Sequence, residues 1–220
     1  MKLILLSEQN HLTIEDVKTQ LINLIGKSNS TIGYISSCPD PSRKFYNERR
    51  EYYAQFGSSL TPYVDLETEF DSKKIDLVFQ ADAIHLSGGN TYRFFHWIIK
   101  RGLRERLRKY AQSKVIIGLS AGAIIMTPDI SYSNFCGDRN EVGLKEFKGL
   151  ALANFNFVPH AISRDTVHQD ILLKSQQDNS RVVVAKDSDW VVIDRPNCRV
   201  YGKPKLVVAG EIVDLSSFKI

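Results

Sequence analysis

The hexapeptide "GLSAGA", residues 118–123, wedges one small hydroxyl, Ser120, between two glycines, after the apolar run "VII" and before "IIM". A strand, a sharp turn and a helix in that order are what G-x-S-x-G requires to expose a serine. A serine hydroxyl is a poor nucleophile at neutral pH unless a base accepts its proton. The base works best when a third group orients it. The same pattern also fits a tight turn that tolerates nothing larger, so the nucleophile reading needs partners elsewhere in the chain. The backbone N–H of Ala121 would point toward a developing oxyanion. "HLSGGN" offers a second donor from Gly88 or Gly89, whose missing side chains let backbone approach a substrate closely.

Five histidines compete for the role of base. His11 lies in a polar turn, His85 inside a strand and His96 in the helical "YRFFHWII", positions that suit structure rather than chemistry. His160 follows "FNFVP", where proline fixes the chain at a strand exit. His168, on "DTVHQDILL", is the competitor, and His160 is preferred. Candidates for the orienting carboxylate are Asp129, Asp138, Glu141, Asp165, Asp187 and Asp189. An order of Ser, acid, His would choose Asp129 or Asp138. An order of Ser, His, acid would choose Asp187, just beyond "RVVVAK". Spacing alone leaves both open.

These residues must be carried by elements that bring them to one place. "LILL", "TIGYIS", "PYVDL", "AIHLS" and "VIIGLS" read as short strands, separated by helical patterns. In "TIEDVKTQLINLIGK", Ile14, Val17, Leu21, Leu24 and Ile25 share a helical face, with Thr13 as N-cap and Gly26 as stop. An aromatic helix is expected over residues 41–56, with Phe45, Tyr52, Tyr53 and Phe56 on the core side, and a short helix over 165–176. Alternating strands and helices predict an α/β fold, an open, doubly wound, mostly parallel sheet. Its ligands bind beyond the carboxyl ends of the strands. Residues 127–150 are polar and turn-rich and predict loops and a hairpin near the site. "WVVID", "CRVYG" and "KLVVAGEIVDL" predict antiparallel C-terminal strands. No linker interrupts the chain, so residues 1–220 are expected to form one domain.

Composition narrows the function classes. A hydrophobic content of 43%, a charged content of 25% and a net charge of +4 over 220 residues are ordinary for a soluble globular protein, and do not imply nucleic acid. The basic run "KRGLRERLRKY" reads as the solvated face of a helix that buries Leu103 and Leu107. Cys38, Cys136 and Cys198 are too few and too scattered for a disulfide framework. Cys136 lacks the strand-turn-helix context of a nucleophile. "MKLILLSEQN" is too short in apolar residues for a signal peptide, and no stretch reaches membrane-span length, so a cytoplasmic location is expected. No metal-ligand spacing or nucleotide-binding glycine pattern occurs, so neither metal nor cofactor is expected.

"HLSGGNTYRFF", "IIGLSAGA", "FVPHA" and "AKDSDWVVID" occur in an order and approximate spacing that resembles the peptidase E (aspartyl dipeptidase) family of serine peptidases, family S51, whose relatives include cyanophycinases. The similarity runs from "KLILLS" through "WVVID". It implies a flavodoxin-like core related to class I glutamine amidotransferases. It also implies Ser120 as nucleophile, His160 as base, and Asp187 in place of the family's glutamate, one methylene shorter. The family's Arg-rich segment after the histidine is here the shortened "AISRDTVHQDILL". Arg164 or Arg139 would have to serve a substrate carboxylate, and Asn90 of the GGNT segment is a further candidate contact. The activity implied is hydrolysis of short peptides near the N-terminus, Asp-Xaa dipeptides among them, by a monomer or homodimer. An esterase or amidase with the same triad, or a binding module that lost turnover, are the alternatives.

Overall fold

A computed structural model describes residues 1–10, 12–162 and 167–215. The apolar runs become β1 (Lys2–Leu6), β2 (Thr31–Ser36), β3 (Ser59–Asp65), β4 (Ala83–Leu86) and β5 (Val115–Leu119). Further along follow β6 (Asn156–Val158), β7 (Arg181–Val184), β8 (Trp190–Asp194), β9 (Asn197–Tyr201), β10 (Lys205–Val208) and β11 (Glu211–Val213). Strands β4 and β5 are buried along their whole length, which explains why they lack polar alternation. The side chains of β1, β4 and β5 still alternate between two cores. Leu3, Leu5, Ile84, Leu86 and Ile116 face one, while Ile4, Leu6, Val115, Ile117 and Leu119 face the other.

The main sheet has the order β3-β2-β4-β5-β1-β8-β9. Its first five strands run parallel, and β8 and β9 add antiparallel beyond β1. Helices α1 (Ile14–Ile25) and α2 (Lys44–Ala54) cover one face. The other is covered by α3 (Ser72–Gln80), α4 (Thr91–Lys100), α5 (Arg104–Tyr110) and the short α6 (Ala121–Ile124). The expected doubly wound α/β sheet is therefore present, with antiparallel strands near the C-terminus.

Several details differ from the sequence expectation. The C-terminal strands divide between two sheets. β7, β10 and β11 join β6 in a separate sheet of order β11-β10-β7-β6, in which β6 and β7 are parallel. That sheet packs Val158, Val182, Val184 and Val207 against Tyr132 and Ile171, the latter on α7 (Gln169–Gln177). Residues 127–150 contain no hairpin among the described residues. They hold a 3-10 helix over Ile130–Cys136 and a single bridge between Asp129 and Lys148. Phe45 is not in the core: it is 59% exposed, whereas Tyr52, Tyr53 and Phe56 are buried as the helical spacing requires. The basic run forms α5, with Leu103 and Leu107 inside, Arg104 paired to Glu146 and Arg106 to Asp76.

Candidate active site

Four parallel strands end one residue before a serine that the site uses: Ser7 after β1, Ser37 after β2, Ser87 after β4 and Ser120 after β5. Ser120 has φ 49° and ψ −109°, a conformation non-glycine residues rarely adopt. Such a residue costs roughly 1–3 kcal/mol and persists only where its surroundings fix it. Here its N–H donates to the Leu6 carbonyl at 2.9 Å, and its carbonyl accepts the N–H groups of Ala123 and Ile124 at 2.9 and 3.0 Å. The flanking glycines answer to close packing. A Cβ on Gly118 would lie 2.5 Å from the Gly122 carbonyl, and one on Gly122 would lie 2.1 Å from the Leu86 oxygen. Those contacts let α6 start directly above β4 and β5.

His160 follows β6 with φ 60°, and its N–H donates to Ser7 Oγ at 2.9 Å. Neighbouring backbone bonds, Ala161 N–H to the Ala185 carbonyl and Ala185 N–H to the Val158 carbonyl, dock it beside β7. The imidazole Nε2 is 2.9 Å from Ser120 Oγ, and Nδ1 is 2.6 Å from Asp187 Oδ1. A carboxylate only accepts, so Nδ1 carries the proton and the Nε2 lone pair faces the serine hydroxyl. Asp187 sits in a turn held by the wholly buried Asp189, whose carboxylate accepts the N–H groups of Lys186 and Lys203, each at 2.9 Å.

The family model described as "Peptidase family S51" matches residues 3–200. The chain belongs to peptidase family S51. It is 31% identical to an uncharacterized peptidase of Pasteurella multocida over 53% of this chain and 58% of that one. It is 27% identical to a peptidase E of Nostoc over 72% of this chain and 65% of the relative. The chain thus spans about three fifths of the curated relatives' length in these matches. A solved structure from Listeria monocytogenes, provisionally named a peptidase E, superposes with a TM-score of 0.71 at 21% identity, covering 90% of this chain and 96% of its own. The peptidase of an acI-B1 actinobacterium gives a TM-score of 0.64 at 18% identity, covering 96% of both chains. These two share the fold.

Other residues expected at the S51 site lie elsewhere or have other work. Asn90 caps α4: its Oδ1 accepts Arg93 N–H at 2.9 Å, and its amide donates to the Arg139 carbonyl at 3.0 Å. Arg139 is exposed and is not part of the cleft wall around Ser120. Arg164, Asp165 and His11 lie outside the described residues. His168 is exposed, caps α7 and sits 3.4 Å from Asp170. His85 is buried within β4, its Nδ1 2.9 Å from the Tyr53 hydroxyl. Among the carboxylates, Asp129 caps the 3-10 helix and pairs with Lys174, and Asp138 accepts Thr91 N–H at 2.8 Å. Burial pushes the Cys136 thiol up to about 12, so it stays protonated and is no nucleophile at neutral pH.

A cleft of about 480 Å³ opens over Ser120 and His160. Gly88 and Gly89 form part of its wall, together with Tyr34 and the exposed Phe45. Its lining carries the carboxylates of Glu8, Asp40 and Glu48 against the guanidinium of Arg49. Asp40 is committed to the start of α2, accepting the N–H groups of Lys44 and Tyr46. Arg49 is almost buried and donates to Gln9 Oε1 at 3.1 Å, with Glu48 at 3.7 Å. Sequence reasoning singled out none of the four charged residues, nor Ser7, Ser37 and Ser87. The available signal for Ser7 and Ser87 was the Leu-Ser repeated at strand ends, as at Leu119-Ser120; Ser37 follows Ser36 and carried no such mark.

Proposed function

We propose that the chain hydrolyses short peptides near their N-terminus through an acyl-enzyme on Ser120. The observation that supports this is the unbroken relay from Ser120 Oγ through His160 to Asp187, at 2.9 and 2.6 Å. Ser120 Oγ attacks the scissile carbonyl carbon while His160 Nε2 takes the hydroxyl proton. The tetrahedral oxyanion is met by backbone N–H groups of Ala121 and the Gly88–Gly89 turn. When the C–N bond breaks, the imidazolium returns its proton to the leaving amine. Water then attacks the ester by the same route and regenerates the hydroxyl. Asp187 stays ionised throughout, holding the tautomer and balancing the imidazolium.

The cleft's three carboxylates against one guanidinium suit a peptide's terminal ammonium and oppose an acidic side chain. Peptides with a neutral or basic first residue are therefore the expected substrates, ahead of Asp-Xaa. The test is release of amino acids from di- and tripeptides varied at the first position, with Ser120→Ala alongside. Wild-type cleavage, reduced roughly 10⁴-fold or more in folded Ser120→Ala, is expected. Undiminished cleavage by that variant would end the reading. Cleavage restricted to Asp-Xaa would keep the chemistry and point to Arg49 as the carboxylate's partner. Ser120-dependent cleavage of simple esters but of no peptide would make the protein an esterase.

A further inference from the structure

The Gly88–Gly89 peptide is gripped from one side by two hydroxyls. Ser37 Oγ–H donates to the Gly88 carbonyl, and Ser87 Oγ–H donates to the same oxygen at 3.1 Å. Ser87 Oγ also accepts the Ser37 N–H at 2.8 Å, so the two serines hold each other as well as the glycine. Both are buried. On the opposite side stands the nucleophile. A Cβ on Gly88 would come within 3.6 Å of Ser120 Cβ, whereas one on Gly89 would fall 2.2 Å from Ser37 Oγ. The dipeptide is therefore sandwiched between Ser37 and Ser120.

In a trans peptide the C=O and N–H point to opposite sides. With the Gly88 oxygen turned toward Ser37 and Ser87, the N–H of Gly89 turns away from them. No acceptor for it is found among the described residues. A Gly-Gly peptide is also the easiest to rotate, and the φ of Gly89, +135°, is open to glycine alone. A flip of this peptide would present a carbonyl where a donor is needed and would repel the oxyanion. Two hydroxyl donors on the Gly88 oxygen oppose that flip.

We propose that Ser37, assisted by Ser87, is a positioning residue that locks the Gly88–Gly89 peptide so that the Gly89 N–H serves the oxyanion. The inference rests on the peptidase reading above. It chooses Gly89 over Gly88 as the second donor. If the serines did no more than satisfy a buried carbonyl, their loss would lower stability and leave the chemistry alone.

The test compares wild type, Ser37→Ala and Ser87→Ala in three measurements: kcat and KM on the best peptide of the panel, the rate at which a fluorophosphonate labels Ser120, and the thermal midpoint. The phosphonyl oxygen occupies the oxyanion position, so labelling reads the lock without a known substrate. For Ser37→Ala, kcat and labelling rate should each fall about 10- to 100-fold, less than complete loss of a donor, with KM nearly unchanged. The pH midpoint of labelling should stay at the wild-type value, because the Ser120–His160 pair is untouched. Ser87→Ala should show the same pattern more weakly, and decides the matter if Ser37→Ala does not fold. Wild-type kcat and labelling in a folded variant, or a rise in KM alone, would overturn the proposal even with a lowered midpoint. Failure of the parent reading looks different: the wild type neither cleaves nor labels, or Ser120→Ala still cleaves, and the proposal falls with it.

Discussion

Asp187 is one methylene shorter than the glutamate its S51 resemblance implies, yet its carboxylate lies 2.6 Å from His160. The turn comes to the imidazole because Asp189 draws in the backbone at Lys186 and Lys203, and because Gly202 lets the next turn lie against Asp189. Asp187→Asn should therefore keep the fold and lower kcat roughly 10³- to 10⁴-fold, by removing the acceptor that fixes the Nδ1–H tautomer. Steady-state kinetics on the best peptide, with circular dichroism as the fold control, check this. Less than a tenfold loss would mean that another group orients His160. Ser7→Ala acts one step back. It removes the acceptor of the His160 N–H at a strained φ of 60° and should cost about 1 kcal/mol in urea unfolding, together with a several-fold loss of kcat. Ser120 and His160 were legible from residue type and context alone. Asp187 was not, because six carboxylates shared the right stretch of sequence, and only the resemblance separated it from Asp138. The serines behind the site escaped notice because each one looks like an ordinary turn residue at the end of a strand.

Apolar runs made the five parallel strands and the helices between them readable, and burial on both faces leaves the plainest signature in β4 and β5. Pairing partners leave none. β6 is three residues long, and nothing in "FNFVPH" announces that it pairs with β7 instead of joining the main sheet. The polar segment 127–150 was likewise unreadable because its ties are long-range: Asp138 to Thr91 N–H, Arg139 carbonyl to Asn90, and Asn134 to the Tyr92 hydroxyl fasten it to the first turn of α4. Asn90, expected to touch substrate, also joins these two elements through the backbone carbonyl of Arg139. The G-x-S-x-G turn shows how tightly neighbouring elements meet. Gly122→Ala would drive a methyl into the Leu86 backbone and should destabilise by about 3 kcal/mol, seen as a large drop in thermal midpoint. Gly88→Ala meets only ordinary contacts and should melt close to the wild type. Equal midpoints for the two variants would show that α6 does not sit against β4.

The core beneath the sheet edge has its own response to acid. His85, wholly buried in β4, stacks on Tyr34 with centroids 5.2 Å apart and meets the Tyr53 hydroxyl, while its Nε2 has no partner among the described residues. Burial lowers its pKa from 6.5 to about 3, so the folded protein holds it neutral where the unfolded chain is charged. The unfolded state therefore binds one more proton between those two values, and stability falls as pH drops below 6.5. Above 6.5 the residue adds no pH dependence. One such group is worth about 1.4 kcal/mol per pH unit, or roughly 2–3 kcal/mol by pH 4.5. His85→Asn leaves Tyr53 a polar neighbour and removes the titration. Urea unfolding at pH 7.5 and pH 4.5 should show a smaller acid-induced loss in the variant, by about that amount. If wild type and variant lose equally, His85 takes up its proton without unfolding the protein, and its burial is not the source of the acid sensitivity.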